Sequence, residues 1–206
     1  MNWSDITIEK FQKINNVRNG VYEFDVEKEI AFISAVTGIS TEELEAMPYK
    51  ELLELGKKCK FAGEPIRERL KKRVRIGTRF YEFELKAQNI TAQQYILINR
   101  YTVNEGNVVE NMHYLMAALS YEVDLLGRRK AWDYNYEAKA QTFLKQMPYD
   151  IANTIMVFFC KVYAAWSEAT KDFLHKQTMQ ATREVVKQMV EMNLLHSDRI
   201  GDGLQR

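Results

Sequence analysis

The sequence predicts a mainly α protein: a helical domain with one small β-hairpin (about residues 73–85) and a long C-terminal helix. Three observations carry this expectation. Apolar side chains recur at three- and four-residue steps along most of the chain, behind residues that cap helices. One stretch, RVRIGTRFYEFEL, alternates polar and apolar residues instead, around Gly77-Thr78. Finally, 206 residues with 46% hydrophobic side chains, three Pro and nine Gly suffice to bury a core without a staple.

In chain order, Asp25 is placed to cap a helix bearing Ile30, Ile33 and Val36, with Gly38 where a left-handed terminator belongs. Ser40-Thr-Glu-Glu43 reads as a capping box, and Pro48 as the first residue of a helix through Leu52, Leu53 and Leu55. The hairpin follows Gly63 and Pro65; a lone two-stranded ribbon is marginal in water, so it must lie on helices or on another chain. Thr91-Ala-Gln-Gln94 offers a second capping box, before Tyr95, Ile98 and Tyr101. Asn107 suits the start of a helix carrying Met112, Leu115, Met116, Leu119 and Val123, closed by Gly127. An aromatic loop, WDYNYE, enters the next helix, and Pro148 opens the last, whose stripe runs from Ile155 through Phe159 to Phe173 and on to Val190. These elements group as an α-rich part with the hairpin (1–102), a helical part sharing its core (103–176), and a projecting helix with a frayed tail (177–206).

Composition excludes several classes. MNWSDITIEKF has acidic residues among its apolar ones and is no secretory signal. The greasiest stretch, Ile151 to Trp166, is shorter than the roughly 20 residues a bilayer needs and contains Asn153 and Lys161, so no membrane span is expected. Cys59 and Cys160 stand alone, which signals neither disulfides nor zinc and reads as two reduced, mostly buried thiols. The net charge of +1 is uneven: residues 1–56 hold 5 basic and 11 acidic side chains, residues 57–86 hold 11 and 4, and the remainder balance. Surfaces of opposite sign attract within one chain or between copies, so self-association that weakens with salt is expected.

Neither nucleotide-binding glycine fingerprint is present, nor GxSxG, nor HExxH, so no catalytic residue and no cofactor are expected. Glu110-x-x-His113 and Asp172-x-x-His175 each place a carboxylate and an imidazole one helical turn apart, half of a dinuclear carboxylate site; Glu137 could serve once in the other half, but Glu82 and Glu84 fall on the hairpin and Glu168 shares a helix with Asp172, so no metal is expected. The basic stretch leading into the hairpin, with Arg67, Lys71, Lys72, Arg73, Arg75 and Arg79, is a candidate polyanion surface, weighed against a solvated helix IRERLKKRVR. The loop aromatics Trp132, Tyr134 and Tyr136, the face Phe159, Val162, Trp166 and Phe173, and the stripe Val185, Val186, Met189 and Val190 combine the amphipathic rings and flexible thioethers of adaptable partner surfaces. An interaction protein fits these features better than an enzyme.

Several stretches together resemble bacteriophage tail assembly chaperones. They are ITIEKFQKI; EIAFISAVTGISTEELEAMPYKELLEL, where an apolar helix runs into TGIS and EEL; RVRIGTRFYEFELKAQNITAQQYILI; MHYLMAALSYEVD; and IMVFFCKVYAAW, spanning roughly residues 6–166. The resemblance implies a non-catalytic protein of the host cell cytoplasm that binds the phage tape measure protein and recruits tail tube proteins. The extra helical back half departs from the small members of the family and leaves open a permanent place in the virion, as a connector or tail component. Nucleic-acid binding through residues 57–79 is the further alternative.

Overall fold

The computed structural model describes residues 1–66, 70–104 and 108–162. The chain divides into two units, Met1–Cys160 and Lys161–Arg206. In the first, helices α1 (Ile8–Asn19), α2 (Asp25–Thr37), α3 (Thr41–Glu45) and α4 (Tyr49–Lys58) precede strands β1 (Arg73–Ile76) and β2 (Arg79–Phe83). Helices α5 (Ala92–Asn99) and α6 (Met112–Leu119), strand β3 (Ser120–Val123), helix α7 (Tyr136–Gln146) and a helical stretch from 149 follow. Of the second unit the described residues, 161 and 162, are helical. The expected C-terminal helix is thus seen over 149–162, and its continuation lies outside the described residues.

Local chemistry explains most boundaries. Gly38 ends α2 at φ 86°, a left-handed conformation costly for any residue with a Cβ. Ser40 Oγ accepts from Glu43 N, and Thr91 and Gln94 satisfy one another's backbone amides reciprocally. Two caps lie one residue from their expected places. Phe24 is the N-cap of α2, with Glu27 reaching back to its amide, so Asp25 is the first helical residue; Pro48 is itself the cap of α4. Cys59 is buried as expected, but Cys160 is exposed.

The largest departure follows α6. The apolar period carries it only to Leu119, and Ser120–Val123 form a third strand rather than continuing a helix to Gly127. The sheet is antiparallel, in the order β1-β2-β3, with Val74 opposite Tyr81 and Glu82 opposite Tyr121. A two-stranded ribbon leaves its inner edge unpaired, and β3 supplies the missing backbone partner. For the same reason Arg73 and Arg75 belong to β1, not to a basic helix, while residues 67–69 lie outside the described residues.

Helix α7 covers one face of this sheet. Phe143 is fully buried and meets Tyr81 edge-on at 4.8 Å and Phe83 at 6.3 Å between ring centroids. The chain start then locks onto the far end of α7: Ile8 N donates to Met147 O, and Tyr149 N to Ile6 O. Trp3, Phe11, Phe61 and Tyr149 close that junction as an aromatic cluster, with Trp3 Nε1 donating to Glu64 O.

Since Phe143 joins α7 to both core-facing rings of β2, Phe143→Ala is expected to cost about 3–5 kcal/mol in urea unfolding. A loss below about 1 kcal/mol would show that α7 does not anchor the sheet.

Candidate functional site

The site is built from the return of the chain after β3. Asp124 to Arg128 form a turn in which Gly127 N donates to Asp124 O, Asp124 N to Arg128 O, and Gly127 adopts φ 81°. Arg129 thereby pairs with Val123, and Lys130 N donates to Glu122 O, which adds a short fourth rung to the sheet edge. The Arg129 guanidinium crosses the Tyr121 ring at 5.0 Å and reaches two buried carboxylates, with Nε and Nη2 on Glu82 Oε1 (2.9 and 2.6 Å) and Nη1 on Glu84 Oε2 (2.7 Å). Burial pushes the Glu84 carboxyl upward, but hydrogen bonds from Arg129 and the Lys86 amide outweigh it and hold the group below its usual range.

With Arg129 fixed, the next residues form a loop of defined shape. Trp132 Nε1 donates to Ala118 O at 3.0 Å, and Asn135 N to Asp133 Oδ1 at 2.8 Å. Trp132 meets Tyr134 edge-on at 5.3 Å and stacks on Tyr136 at 6.4 Å; Tyr136 in turn shares a hydroxyl contact with Tyr101. Tyr134 stands out at 79% exposure. The three loop aromatics expected to bind partners are therefore one cluster, two of them half-buried and one presented to solvent.

Beside this loop a cleft of about 450 Å³ lies between the β1–β2 turn and α7. Ile76, Tyr81 and Ala138 give it apolar walls; Arg79, Glu122, Asp133 and Lys139 give it charge. Lys139 is only 9% exposed; its Nζ donates to Ser120 O at 3.0 Å and lies 5.8 Å from the centre of the Trp132 ring. Desolvation drives its pKa from 10.5 down to about 8, against the partial opposition of Asp133 and Glu122. Glu122 is held below its usual range chiefly by the Lys130 hydrogen bond, with Arg79 adding to it.

The other expected residues disperse. Phe159 is core and Val162 half-buried, while Trp166, Phe173, Val185, Val186, Met189 and Val190 lie outside the described residues, as does Arg67. Four basic side chains of the polyanion candidate are engaged at home: Lys72 and Arg73 with Glu82, Arg79 with Glu122, and Arg75 Nε with Gly77 O. Lys71 is exposed. Of the metal candidates, His113 is buried with Nδ1 unpartnered, and burial lowers its pKa. Among the described residues no group of three His, Cys, Asp or Glu side chains is placed to hold a metal. The sequence singles out neither Lys139 nor Arg129, and it offers Glu82 and Glu84 only as candidate metal ligands on the hairpin. The available signal was Lys139 lying one helical turn before Phe143 on the apolar face of α7.

A lysine whose folded pKa is about 8 binds fewer protons than the unfolded chain between pH 8 and 10.5, so its contribution to stability rises with pH there. Lys139→Met removes that term, and the stability difference between the two proteins is expected to move by about 2 kcal/mol in favour of the original chain from pH 8 to pH 10. Taking the difference cancels the thiol and tyrosine ionisations that both proteins share; a pH-independent difference would place the ammonium in water. No protein-family model matches this chain, and no significant similarity to a curated protein or to a solved structure was found.

Proposed function

We propose that this protein is a non-enzymatic phage morphogenesis factor: a tail assembly chaperone that binds the tape measure protein and recruits tail subunits in the host cell cytoplasm. The observation that supports it is the Trp132–Tyr136 segment. Its backbone is held by Arg129 on one side and by the Trp132 indole, yet it presents Tyr134 to solvent between Asp133 and Asn135, which line a cleft. Rigid aromatic side chains held beside a groove lose little conformational freedom on binding, which is why such residues dominate protein interfaces. Long apolar helices need a partner surface of this kind to stay dispersed before assembly. Among the described residues no helix is long and apolar enough to cross a membrane.

The basic segment lends less support to a polyanion partner, because Lys72, Arg73 and Arg79 are already paired with carboxylates of their own chain. The competing place in the virion, as connector or tail component, differs by persistence and is read in the same experiment.

Co-expression with the tape measure protein of the same phage should keep that protein soluble and co-purify it. Tyr134→Glu, at an exposed position, is expected to weaken the complex at least about tenfold with an unchanged melting temperature. Unaltered affinity in that variant would overturn the assignment of the loop. Stoichiometric recovery of the protein from purified particles would replace the chaperone by the structural component.

A further inference from the structure

Lys139 is short of countercharge. An ammonium carries three N–H donors, and its described contacts are one carbonyl, Ser120 O, and the face of the Trp132 ring. Among the described residues no carboxylate lies within ion-pair distance of its Nζ. The two nearest in effect are committed elsewhere: Asp133 accepts from the Asn135 amide, and Glu122 from Arg79 and Lys130. A cation buried to this degree is costly unless something compensates it. The chain retains it at the edge of a cleft large enough for a ligand.

We propose that this cleft receives a single carboxylate from a bound protein segment, with the Lys139 ammonium as the anchor. The charge already present selects the ligand. Arg79, Glu122, Asp133 and Lys139 all line the cleft, and Arg79 is already paired with Glu122 at 2.9 Å, so the cation left without an ion-pair partner there is the single charge of Lys139, which one carboxylate matches. Thr78, Asn135, Thr142 and Gln146 on the lining supply neutral groups for the second carboxylate oxygen and the adjoining backbone. Ile76, Tyr81 and Ala138 on the same lining suit an apolar residue next to the acidic one. The partner motif is therefore an acidic side chain flanked by apolar ones. The inference rests on the partner-binding reading for the source of the carboxylate but not for the existence of the site.

The test is NMR of the full chain with labelled lysine side chains, titrated with N-acetyl-glutamate methylamide, its neutral glutamine analogue, and inorganic phosphate. The glutamate compound should shift the Lys139 Cε and Nζ signals saturably, and the glutamine compound should not. Lys139→Met should abolish binding, while Asp133→Asn, which removes a competing negative charge, should tighten it several-fold. Equal response to both amides, no saturable shift, or tighter binding of phosphate overturns the proposal. A client protein that binds Lys139→Met as well as the original chain overturns the anchor while sparing the partner-binding reading. A saturable glutamate response in a chain that binds no client upholds the cleft and overturns that reading.

Discussion

Glu82 and Glu84 stand two residues apart on one side of the chain at the end of the central strand, each less than a tenth exposed. Two like charges so placed repel, and each must be compensated once it is withdrawn from water. Arg129 supplies the compensating charge, bonded to both carboxylates at once. For its guanidinium to reach them the chain must turn back immediately after β3 and run along its outer edge, as the Asp124–Arg128 turn allows. The position of everything from Lys130 to the start of α7 follows from that demand. The same return brings Lys139 over Ser120 and Phe143 over Tyr81, so one ionic cluster orders both faces of a small sheet.

This cluster also changes the meaning of the charge distribution. The run of basic residues before and within the hairpin looks in sequence like a footprint for a polyanion. In the folded chain three of its side chains serve carboxylates of the sheet itself: Lys72 and Arg73 lie by Glu82, and Arg79 by Glu122. Lys72 and Arg73 are thus matched by a carboxylate of the basic segment itself, and Arg79 by one of the balanced back half. What remains at the surface is a rigid aromatic loop beside a cleft whose buried lysine is incompletely matched, a combination suited to an acidic and apolar protein segment.

Much of the fold was legible because short-range chemistry determined it. Gly38, Ser40 and Thr91 act at helix ends through bonds spanning five residues or fewer, and the Gly77-Thr78 turn sets its own register. Strand β3 was not legible, since SYEV continues the apolar spacing of α6 acceptably and becomes a strand only because β2 needs a partner; tertiary pairing outweighed local period. The site was half legible. Trp132, Tyr134 and Tyr136 stood out as aromatics, but Lys139 carried no motif, and its burial depends on the carbonyl of Ser120, in a strand the sequence did not announce. Arg129 was one arginine among many until long-range folding set it against Glu82 and Glu84.

Arg129 bonds both Glu82 and Glu84 and thereby joins the sheet and the aromatic loop as one unit. Native-state hydrogen exchange tests it most directly, followed at the β2 and β3 amides and at the Trp132 indole N–H, in the original chain and in Arg129→Met. A common opening free energy is expected in the original chain, and a common loss of protection at all these sites in the variant. Retention of full protection by β2, β3 and the indole, with faster exchange confined to residues 128–130, would contradict it.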